Sequence, residues 1–213
     1  GYVMEALARS GVGTLDLIDN DRVCLTNLNR QIIATHSTIG EYKVDAARKR
    51  VLDINPEAVI HTYKTFFMPE TASEFNFYAF DYVVDAIDTV TGKIQLVMQA
   101  DRAHTPIISS MGAGNKMNPA AFKVADIYQT RVCPLAKVMR RELKKRGISG
   151  LKVVYSEEVP IGTHSEEEVL EIAGENDTGK TRKRTPGSNA FVPAAAGLII
   201  AGEVVKDLLQ YKV

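Results

Sequence analysis

The sequence predicts an α/β fold in three layers, with a mostly parallel sheet covered by helices on both faces. Two observations lead to this prediction. Short apolar stretches of strand type alternate along the chain with amphipathic stretches of helical period. Several strands carry successive apolar residues, which is typical of strands that are buried on both faces of a parallel sheet. A length of 213 residues suits one domain.

The predicted elements follow one another from the first residue. Helix-forming residues at 1–10 end at Gly11 and Gly13, and glycine favours a helix C-terminus. The pattern then predicts strand 14–19, helix 41–53, strand 58–63, a short helix 69–75, strand 82–88, helix 91–104, strand 106–110, strand 123–128, helix 134–146, strand 151–155 and helix 191–209. A helix at residue 1 that is followed at once by a strand suggests a first strand and Gly-rich turn missing from this sequence. We expect one domain over 1–213, with a mobile loop around 163–188.

Composition excludes several classes of protein. The 26 Lys and Arg residues balance 26 Asp and Glu residues, which argues against a protein that coats nucleic acid through its overall charge. The apolar run 191–202 is shorter than the roughly twenty residues of a membrane span, so we expect no span and a cytoplasmic protein.

The two cysteines form no Cys-x-x-Cys pair, so neither a disulfide scaffold nor a zinc site is expected. Cys24 follows Val23 and is expected in the core. Cys133 precedes a predicted helix, where a thiol pKa is lowered. We interpret it as a half-buried structural residue, with a nucleophilic role as the alternative.

Polar residues follow three predicted strands, and ligands of parallel sheets bind beyond the carboxyl ends of strands. Asp19 follows the first strand, about twenty residues after Gly1, where an acidic residue can bind a ribose hydroxyl. Asp88 ends another strand and could hold magnesium, and the segment 109–114 follows a third. The structural alternatives are a turn residue for Asp19 and a helix N-cap for Asp88.

Cationic groups lie between these strands. Arg30, in the loop Asn27-Leu-Asn-Arg-Gln31, has a guanidinium that suits phosphate oxygens. Lys43 follows Gly40 at a predicted helix start, where a positive charge opposes the helix dipole. A nearby anion would remove that conflict, whereas an ordinary surface lysine is the alternative.

Together these motifs resemble a known family. The residues that carry the resemblance are Leu17-Ile-Asp-Asn-Asp21, Asn27-Leu-Asn-Arg-Gln31, Gly40-Glu-Tyr-Lys43 and Asp85-Ala-Ile-Asp88. In this order they resemble the adenylating, ThiF/MoeB-type family of ubiquitin-activating enzymes and the bacterial enzymes that activate sulfur carriers, over about residues 1–125. The resemblance implies a Rossmann-like fold. The later segments Asp126-Ile-Tyr128, Pro134–Leu143, Val154-Tyr-Ser-Glu-Glu158 and Pro186–Phe191 resemble the branch that cyclises threonylcarbamoyladenosine in tRNA.

The resemblance implies an ATP site with magnesium. The implied ATP-binding residues are Gly1, Asp19, Asp21, Asn27, Arg30, Gln31, Lys43 and Asp88. Asp19 would bind the ribose, Asn27 and Arg30 the phosphates with Gln31 in support, and Asp88 the magnesium ion. Gly1 would be the last glycine of the phosphate loop. Arg30, Lys43 and Asp88 are the implied catalytic residues, and the family also implies a homodimer.

The resemblance leaves alternatives open. The leading hypothesis is ATP-dependent dehydration of threonylcarbamoyladenosine in tRNA, and the second is adenylation of a ubiquitin-like or sulfur-carrier protein. A dinucleotide-dependent oxidoreductase on a Rossmann scaffold ranks below both, because it would leave Asn27, Arg30, Lys43 and Asp88 without a function.

Local charge is uneven although the total is zero. Residues 131–150 hold seven basic residues against Glu142, and a second basic run lies at 180–184. Residues 157–177 hold eight acids and no Lys or Arg. We expect the tRNA contacts at Arg140, Arg141, Lys144 and Lys145, with a solubilising helix face as the alternative.

Overall fold

The computed structural model describes residues 1–162 and 187–211. In chain order the elements are α1 (Tyr2–Arg9), β1 (Thr14–Ile18), α2 (Lys43–Ile54), β2 (Val59–Tyr63), β3 (Val83–Asp85), α3 (Val90–Ala103), β4 (Ile107–Ser110), β5 (Phe122–Asp126), α4 (Pro134–Lys145), β6 (Lys152–Ser156) and α5 (Val192–Leu208). They form two compact units, one of Gly1–Phe67 with the chain from Asn189 onward, the other of Met68–Ser188. The expected loop and the basic run 180–184 lie almost wholly outside the described residues.

The first unit is built on a pair of parallel strands. β1 and β2 run side by side with Thr14 opposite Val59 and Ile18 opposite Tyr63. One face of the pair packs on buried residues of α1 and α2, which include Met4, Ala8 and Val51. α5 lies against α1. The turn that follows α1 enters β1 at its amino end. The loop that starts at Asp19 leaves β1 at the opposite, carboxyl end.

The second unit holds a four-stranded sheet in the order β3-β4-β6-β5. β3, β4 and β6 are parallel, and β5 is antiparallel to β6. α3 and α4 cover it with a buried apolar cluster that includes Ile94, Val97, Met139 and Val153. The predicted α/β class with mostly parallel strands is confirmed. The antiparallel placement of β5 has no signal in the periodicity.

Several elements are shorter than predicted, and side chains explain where two of the strands end. β3 ends at Asp85 instead of residue 88, because the Ile87 N–H turns back to donate to the Asp85 carboxylate at 3.3 Å. β5 ends at Asp126, whose carboxylate accepts from Tyr128 N at 2.8 Å and starts a 3₁₀ turn. The short helix at 69–75 is a 3₁₀ turn over Ala72–Glu74. Among the described helices, none has the length and apolar character needed to cross a bilayer.

Candidate functional site

Asp19 and Asp21 stand at the carboxyl end of β1. The Asp19 N–H donates to the Tyr63 carbonyl at 3.1 Å, which continues the β1–β2 pairing by one residue. The Asp19 carboxylate accepts from Asp21 N at 2.8 Å, so it also closes the turn that follows the strand. The turn-residue alternative is therefore correct as a local role, and Asp19 Oδ2 still faces the lysine described next.

A short antiparallel contact brings Lys43 to these carboxylates. Val23 exchanges backbone hydrogen bonds of 2.8 Å with Glu41 and Gly40, and Lys43 N donates to the Asp21 carbonyl at 2.9 Å. Gly40 has a φ of 89°, a left-handed conformation that glycine adopts without strain. The loop from 24 to 39 is thereby closed at its base, and α2 begins beside Asp21.

Lys43 is the first residue of α2, and its side chain is 13 % exposed. Its Nζ lies 2.6 Å from Asp21 Oδ2 and 3.8 Å from Asp19 Oδ2. These two carboxylates offset the unfavourable position of a cation at a helix N-terminus. The anion expected near Lys43 is therefore supplied by the protein's own carboxylates, Asp19 and Asp21. The three side chains form a charged cluster at the carboxyl end of β1.

The loop 27–31, which was predicted to contact phosphate, contains side-chain atoms that hydrogen-bond within the loop and one buried atom that does not. Asn27 is buried, and its Oδ1 accepts from Cys24 N at 3.1 Å, so half of its amide closes a 3₁₀ turn. Arg30 is half-buried and donates from Nη1 to the Thr26 carbonyl at 2.9 Å and to Asn29 Oδ1 at 3.1 Å. Gln31 Oε1 is buried and has no hydrogen-bond partner among the described residues.

Gly1 lies against the end of this loop. A Cβ added at Gly1 would come within 3.0 Å of Ile32 Cγ2, which is closer than ordinary packing allows. A residue without a side chain therefore fits here for steric reasons, independent of any ligand.

Cys24 corrects a prediction. It was expected in the core, but the structure exposes it, and its Sγ lies 3.1 Å from Thr26 Oγ1. The buried side chain is Val23, and the next residue of an extended segment points the opposite way. The hydrogen bond from Thr26 lowers the pKa of the Cys24 thiol, with smaller contributions from Asn27 and Lys43. Cys133 was interpreted as half-buried, but it is fully buried in the apolar cluster of the second unit, which disfavours its use as a nucleophile.

Asp88 belongs to the second unit and lies three residues beyond β3. It is exposed, and its carboxylate has no ion-pair or hydrogen-bond partner within 1–162 and 187–211. The alternative role as helix N-cap is wrong, because Thr89 occupies that position at the start of α3. No group of three or more potential metal-ligating side chains occurs among the described residues.

A buried charged group next to Asp88 escaped the sequence analysis. Asp85 is fully buried, and Lys93 on α3 lies 3.1 and 3.2 Å from its two oxygens. Ser109 on β4 donates to Asp85 Oδ2, and Lys93 also donates to the Ser110 carbonyl at 2.8 Å. A signal existed in the sequence, since Lys93 interrupts the apolar face that Val90, Ile94 and Val97 form on α3.

The basic helix α4 is amphipathic as expected, with Val138, Met139 and Leu143 buried. Its cations differ in what they contact. Arg140 is half-buried and donates to the Thr130 carbonyl at 2.8 Å and to the Thr130 hydroxyl. Glu142 accepts from three of the others, Arg141, Lys145 and Arg146, at distances of 2.8 to 3.1 Å. The pKa of Glu142 is lowered to about 2, chiefly by the bonds from Arg146 and Lys145. Lys144 is exposed.

The comparison with protein families decides the assignment. The family model described as ThiF family matches residues 1–213. The chain belongs to the ThiF family. The resemblance drawn from the four motifs is confirmed.

Relatives within the ThiF family extend the comparison. The chain is 48 % identical over 212 residues to the tRNA threonylcarbamoyladenosine dehydratase of Bacillus subtilis, covering 98 % of this chain and 82 % of the relative. It is 31 % identical over 218 residues to the Escherichia coli protein of the same name, covering 98 % and 81 %. The crystal structure of the E. coli protein in complex with ATP superposes with a TM-score of 0.82 at 29 % identity, again over 98 % and 81 %.

Proposed function

We propose that this ThiF-family chain is an adenylating enzyme that dehydrates threonylcarbamoyladenosine in tRNA at the expense of ATP, closing a ring through an acyl-adenylate. The observation that carries the proposal is the 48 % identity to the B. subtilis dehydratase over nearly the whole chain. The match covers 98 % of this chain, so the matched length includes the segments that carry the candidate site as well as the core.

The reaction has a clear chemical requirement. A carboxylate does not react directly with a nucleophile, because oxide would have to leave. Attack of the threonyl carboxylate on the α-phosphate of ATP breaks the bond to pyrophosphate and forms an acyl-adenylate. The carbamoyl nitrogen or oxygen of the same side chain then attacks the acyl carbon, loses its proton and expels AMP. The enzyme has mainly to position the groups and to stabilise negative charge.

The Asp19–Asp21–Lys43 cluster has the parts that this chemistry needs in the first unit. At the carboxyl end of β1, Asp19 Oδ2 is proposed to accept a hydrogen bond from a ribose hydroxyl. The Lys43 ammonium is held in place by two carboxylates, and it can bind a phosphate oxygen without a large loss of side-chain entropy. Asp21, which lies 2.6 Å from Lys43, is proposed as the residue that orients this ammonium.

The loop 27–31 supplies the further proposed ATP contacts. Arg30 is anchored through one terminal nitrogen, which leaves other donors of its guanidinium for phosphate. The buried Gln31 Oε1 can accept a hydrogen bond that the described residues do not provide. Asn27 is proposed to contact phosphate through its amide nitrogen while its oxygen holds the turn. The fit of Gly1 against Ile32 keeps its backbone close to this loop.

Asp88 is the proposed magnesium ligand of the second unit. Magnesium is usually held by one or two carboxylates together with phosphates and waters, and an exposed carboxylate without a partner among residues 1–162 and 187–211 fits that pattern. When bound, the ion would neutralise phosphate charge. Asp88 itself follows a buried strand end and precedes α3, so its backbone is held on both sides.

The proposal also names partners. The substrate is tRNA, and the exposed cations of α4 are proposed to contact its phosphates. A homodimer, a sulfur-transfer or carrier protein as a further partner, and a cytoplasmic location remain predictions.

Mass spectrometry of tRNA nucleosides tests the proposal. The protein is incubated with ATP, magnesium and tRNA that carries threonylcarbamoyladenosine, and the dehydrated nucleoside and AMP are measured. We expect both products in equal amounts with the unchanged protein and neither with Asp88→Asn. Asp81→Asn, which alters another exposed carboxylate close to β3, is the matched control and should keep full activity.

The same incubation distinguishes the dehydratase from the second hypothesis, an enzyme that adenylates a ubiquitin-like or sulfur-carrier protein. If pyrophosphate is released from ATP only when a carrier protein with a Gly-Gly tail replaces tRNA, the protein forms a carrier acyl-adenylate and the dehydratase proposal is wrong.

A further inference from the structure

The buried group of Asp85, Lys93 and Ser109 joins three elements at the carboxyl edge of the second unit's sheet. Asp85 ends β3, Ser109 lies on β4, and Lys93 lies in the first turns of α3. Their side chains are each 1 % exposed or less. Lys93 Nζ also holds the Ser110 carbonyl, where the segment 111–114 begins.

Stability alone gives no reason for this arrangement. Burying two opposite charges costs several kcal/mol per ion in desolvation, and an apolar pair of similar volume often gives a fold that is equally stable or more so. A charge pair fixes relative positions more narrowly than apolar packing, because its hydrogen bonds depend on direction as well as distance. The buried ion pair therefore serves to fix the position of a neighbouring segment.

The loop that carries Asp88 lies between the two charged partners. Asp85 and Lys93 bracket residues 86–92, and their ion pair of 3.1 Å closes this segment at its base. Within the segment, Ile87 N donates to Asp85 Oδ1 at 3.3 Å, which sets the direction of the chain one residue before Asp88. Ser109 holds Asp85 itself through the other oxygen, Oδ2.

We propose that Asp85, Lys93 and Ser109 are positioning residues that fix the Asp88 carboxylate for phosphate-bound magnesium. The inference rests on the proposed function for its chemistry, and on the geometry of the second unit for its mechanics. None of the three residues touches substrate in this proposal. They act through the backbone of residues 86–89, as partners behind a metal ligand commonly do.

Two variants test the role, because a single change to one charge would leave the other buried and unpaired. Ser109→Ala removes one hydrogen bond to Asp85 and keeps both charges. The double variant Asp85→Asn, Lys93→Met removes both charges together and keeps similar side-chain volumes. The asparagine oxygen can still accept a hydrogen bond from Ile87 N or Ser109. Thr105→Val is the matched control, since Thr105 is a buried hydroxyl that donates to the Phe77 carbonyl at 2.7 Å, just before the amino end of β4.

Two readouts respond to position rather than to folding. In the tRNA reaction, we expect the magnesium concentration for half-maximal rate to rise about 10-fold in Ser109→Ala and more in the double variant. By hydrogen exchange of the folded proteins, the amides of 86–89 should exchange faster in both. Thr105→Val should leave both readouts unchanged.

The outcomes separate this inference from the proposed function. If folded Ser109→Ala keeps the exchange rates of residues 86–89 and the magnesium dependence of the unchanged protein, the positioning role is wrong, whether or not the double variant folds. If the unchanged protein makes no product from tRNA, the proposed function fails. In that case faster exchange at 86–89, together with weaker magnesium-dependent ATP binding in calorimetry, still supports the positioning role, and unchanged values refute it.

Discussion

Lys43 Nζ lies 2.6 Å from Asp21 Oδ2, in a contact that joins the start of α2 to the loop after β1. The contact is partly exposed, since the Asp21 side chain is 62 % accessible, so its contribution to the free energy of unfolding is small, about 1 kcal/mol or less. Its effect is instead to hold an ammonium ion at the strand end, next to Asp19. A cation held in this position stabilises negative charge that develops on phosphate during a reaction more than it stabilises the folded state.

Lys43→Ala should therefore separate activity from stability. We expect the rate of AMP formation to fall by about 10²- to 10³-fold, as when one donor to a developing charge is removed, while the melting temperature changes little. Lys49→Ala is the control on the same helix, because Lys49 makes an exposed ion pair of 2.9 Å with Glu41 and has no proposed site role. An equal loss of activity in both variants would contradict the assignment of Lys43.

Thiol labelling offers a second check on the first unit. Cys24 is exposed and Cys133 is buried, so a thiol reagent should modify one cysteine of the folded protein. Since Cys24 N bonds to Asn27 of the proposed phosphate loop, ATP with magnesium should slow the labelling. Unchanged labelling at saturating ATP would place the nucleotide elsewhere. Cys24→Ser, which should take up no label while folded, confirms the modified site.

The pH dependence of the same labelling tests the role of Thr26. Its hydroxyl lowers the pKa of the Cys24 thiol, so the thiolate forms at a lower pH than in a free cysteine. Thr26→Val removes this hydrogen bond and raises the pKa. The labelling rate against pH should then shift to higher pH, and a shift in the opposite direction would refute the explanation.

The sequence predicts the fold well where periodicity and strand-end chemistry agree. The helices α2, α4 and α5 lie within two residues of their predicted bounds at each end, and β1 and β2 within one. These bounds depend on local sequence, so local reasoning reaches them. Asp19 and Lys43 were predicted as separate site residues, and those roles stay predictions. The distance of 3.8 Å between Lys43 Nζ and Asp19 Oδ2 was not predicted.

Other features depend on which residues meet across the fold. Cys24 was predicted inside because its neighbour Val23 is apolar, yet the direction of a side chain in a loop is set by backbone geometry. Asp85, the last residue of β3, pairs with Lys93 on α3 eight residues later; the interrupted apolar face of α3 marks Lys93 but does not indicate its partner. β5 pairs antiparallel with β6 although α4 lies between them along the chain, and such a helical connection usually joins parallel strands, so the order of elements does not predict this pairing.

Arg140 and Lys144 on α4 should respond differently to substitution. Arg140 donates to Thr130, so Arg140→Ala is expected to lower the free energy of unfolding by about 1–3 kcal/mol. Lys144 is exposed, so Lys144→Ala should leave stability unchanged. It should weaken tRNA binding and reduce the slope of log affinity against log salt by about 1. Binding titrations at several salt concentrations, with thermal unfolding of the same samples, measure both. Equal tRNA affinity for Lys144→Ala and the unchanged protein would remove α4 from the proposed surface.

Glu142 gives α4 a dependence on acid. Its folded-state pKa of about 2 lies below its ordinary value of 4.5, so its stabilising effect is present above that value and is lost as pH falls toward 2. Glu142→Gln should lower the free energy of unfolding at pH 7 by about 1 kcal/mol, given three pairs near the surface. The difference from the unchanged protein should shrink between pH 5 and 3. Glu203→Gln, which alters a residue paired with Lys206 on α5, should show a smaller difference. A difference for Glu142→Gln that grows toward low pH would refute the account.

The packing of α1 on α5 can be tested with two glycines of one helix. A Cβ at Gly197 would lie 2.9 Å from Tyr2 Cβ and 3.4 Å from Val3 N, whereas a Cβ at Gly202 would meet nothing within 4 Å. Gly197→Ala should therefore force the two helices apart and lower the free energy of unfolding by about 1–3 kcal/mol. Gly202→Ala should raise it by about 0.5–1 kcal/mol, because alanine loses less backbone entropy in a helix. Chemical denaturation of both variants measures the difference. Similar stabilities for the two would mean that α1 and α5 do not approach as closely as these contacts require.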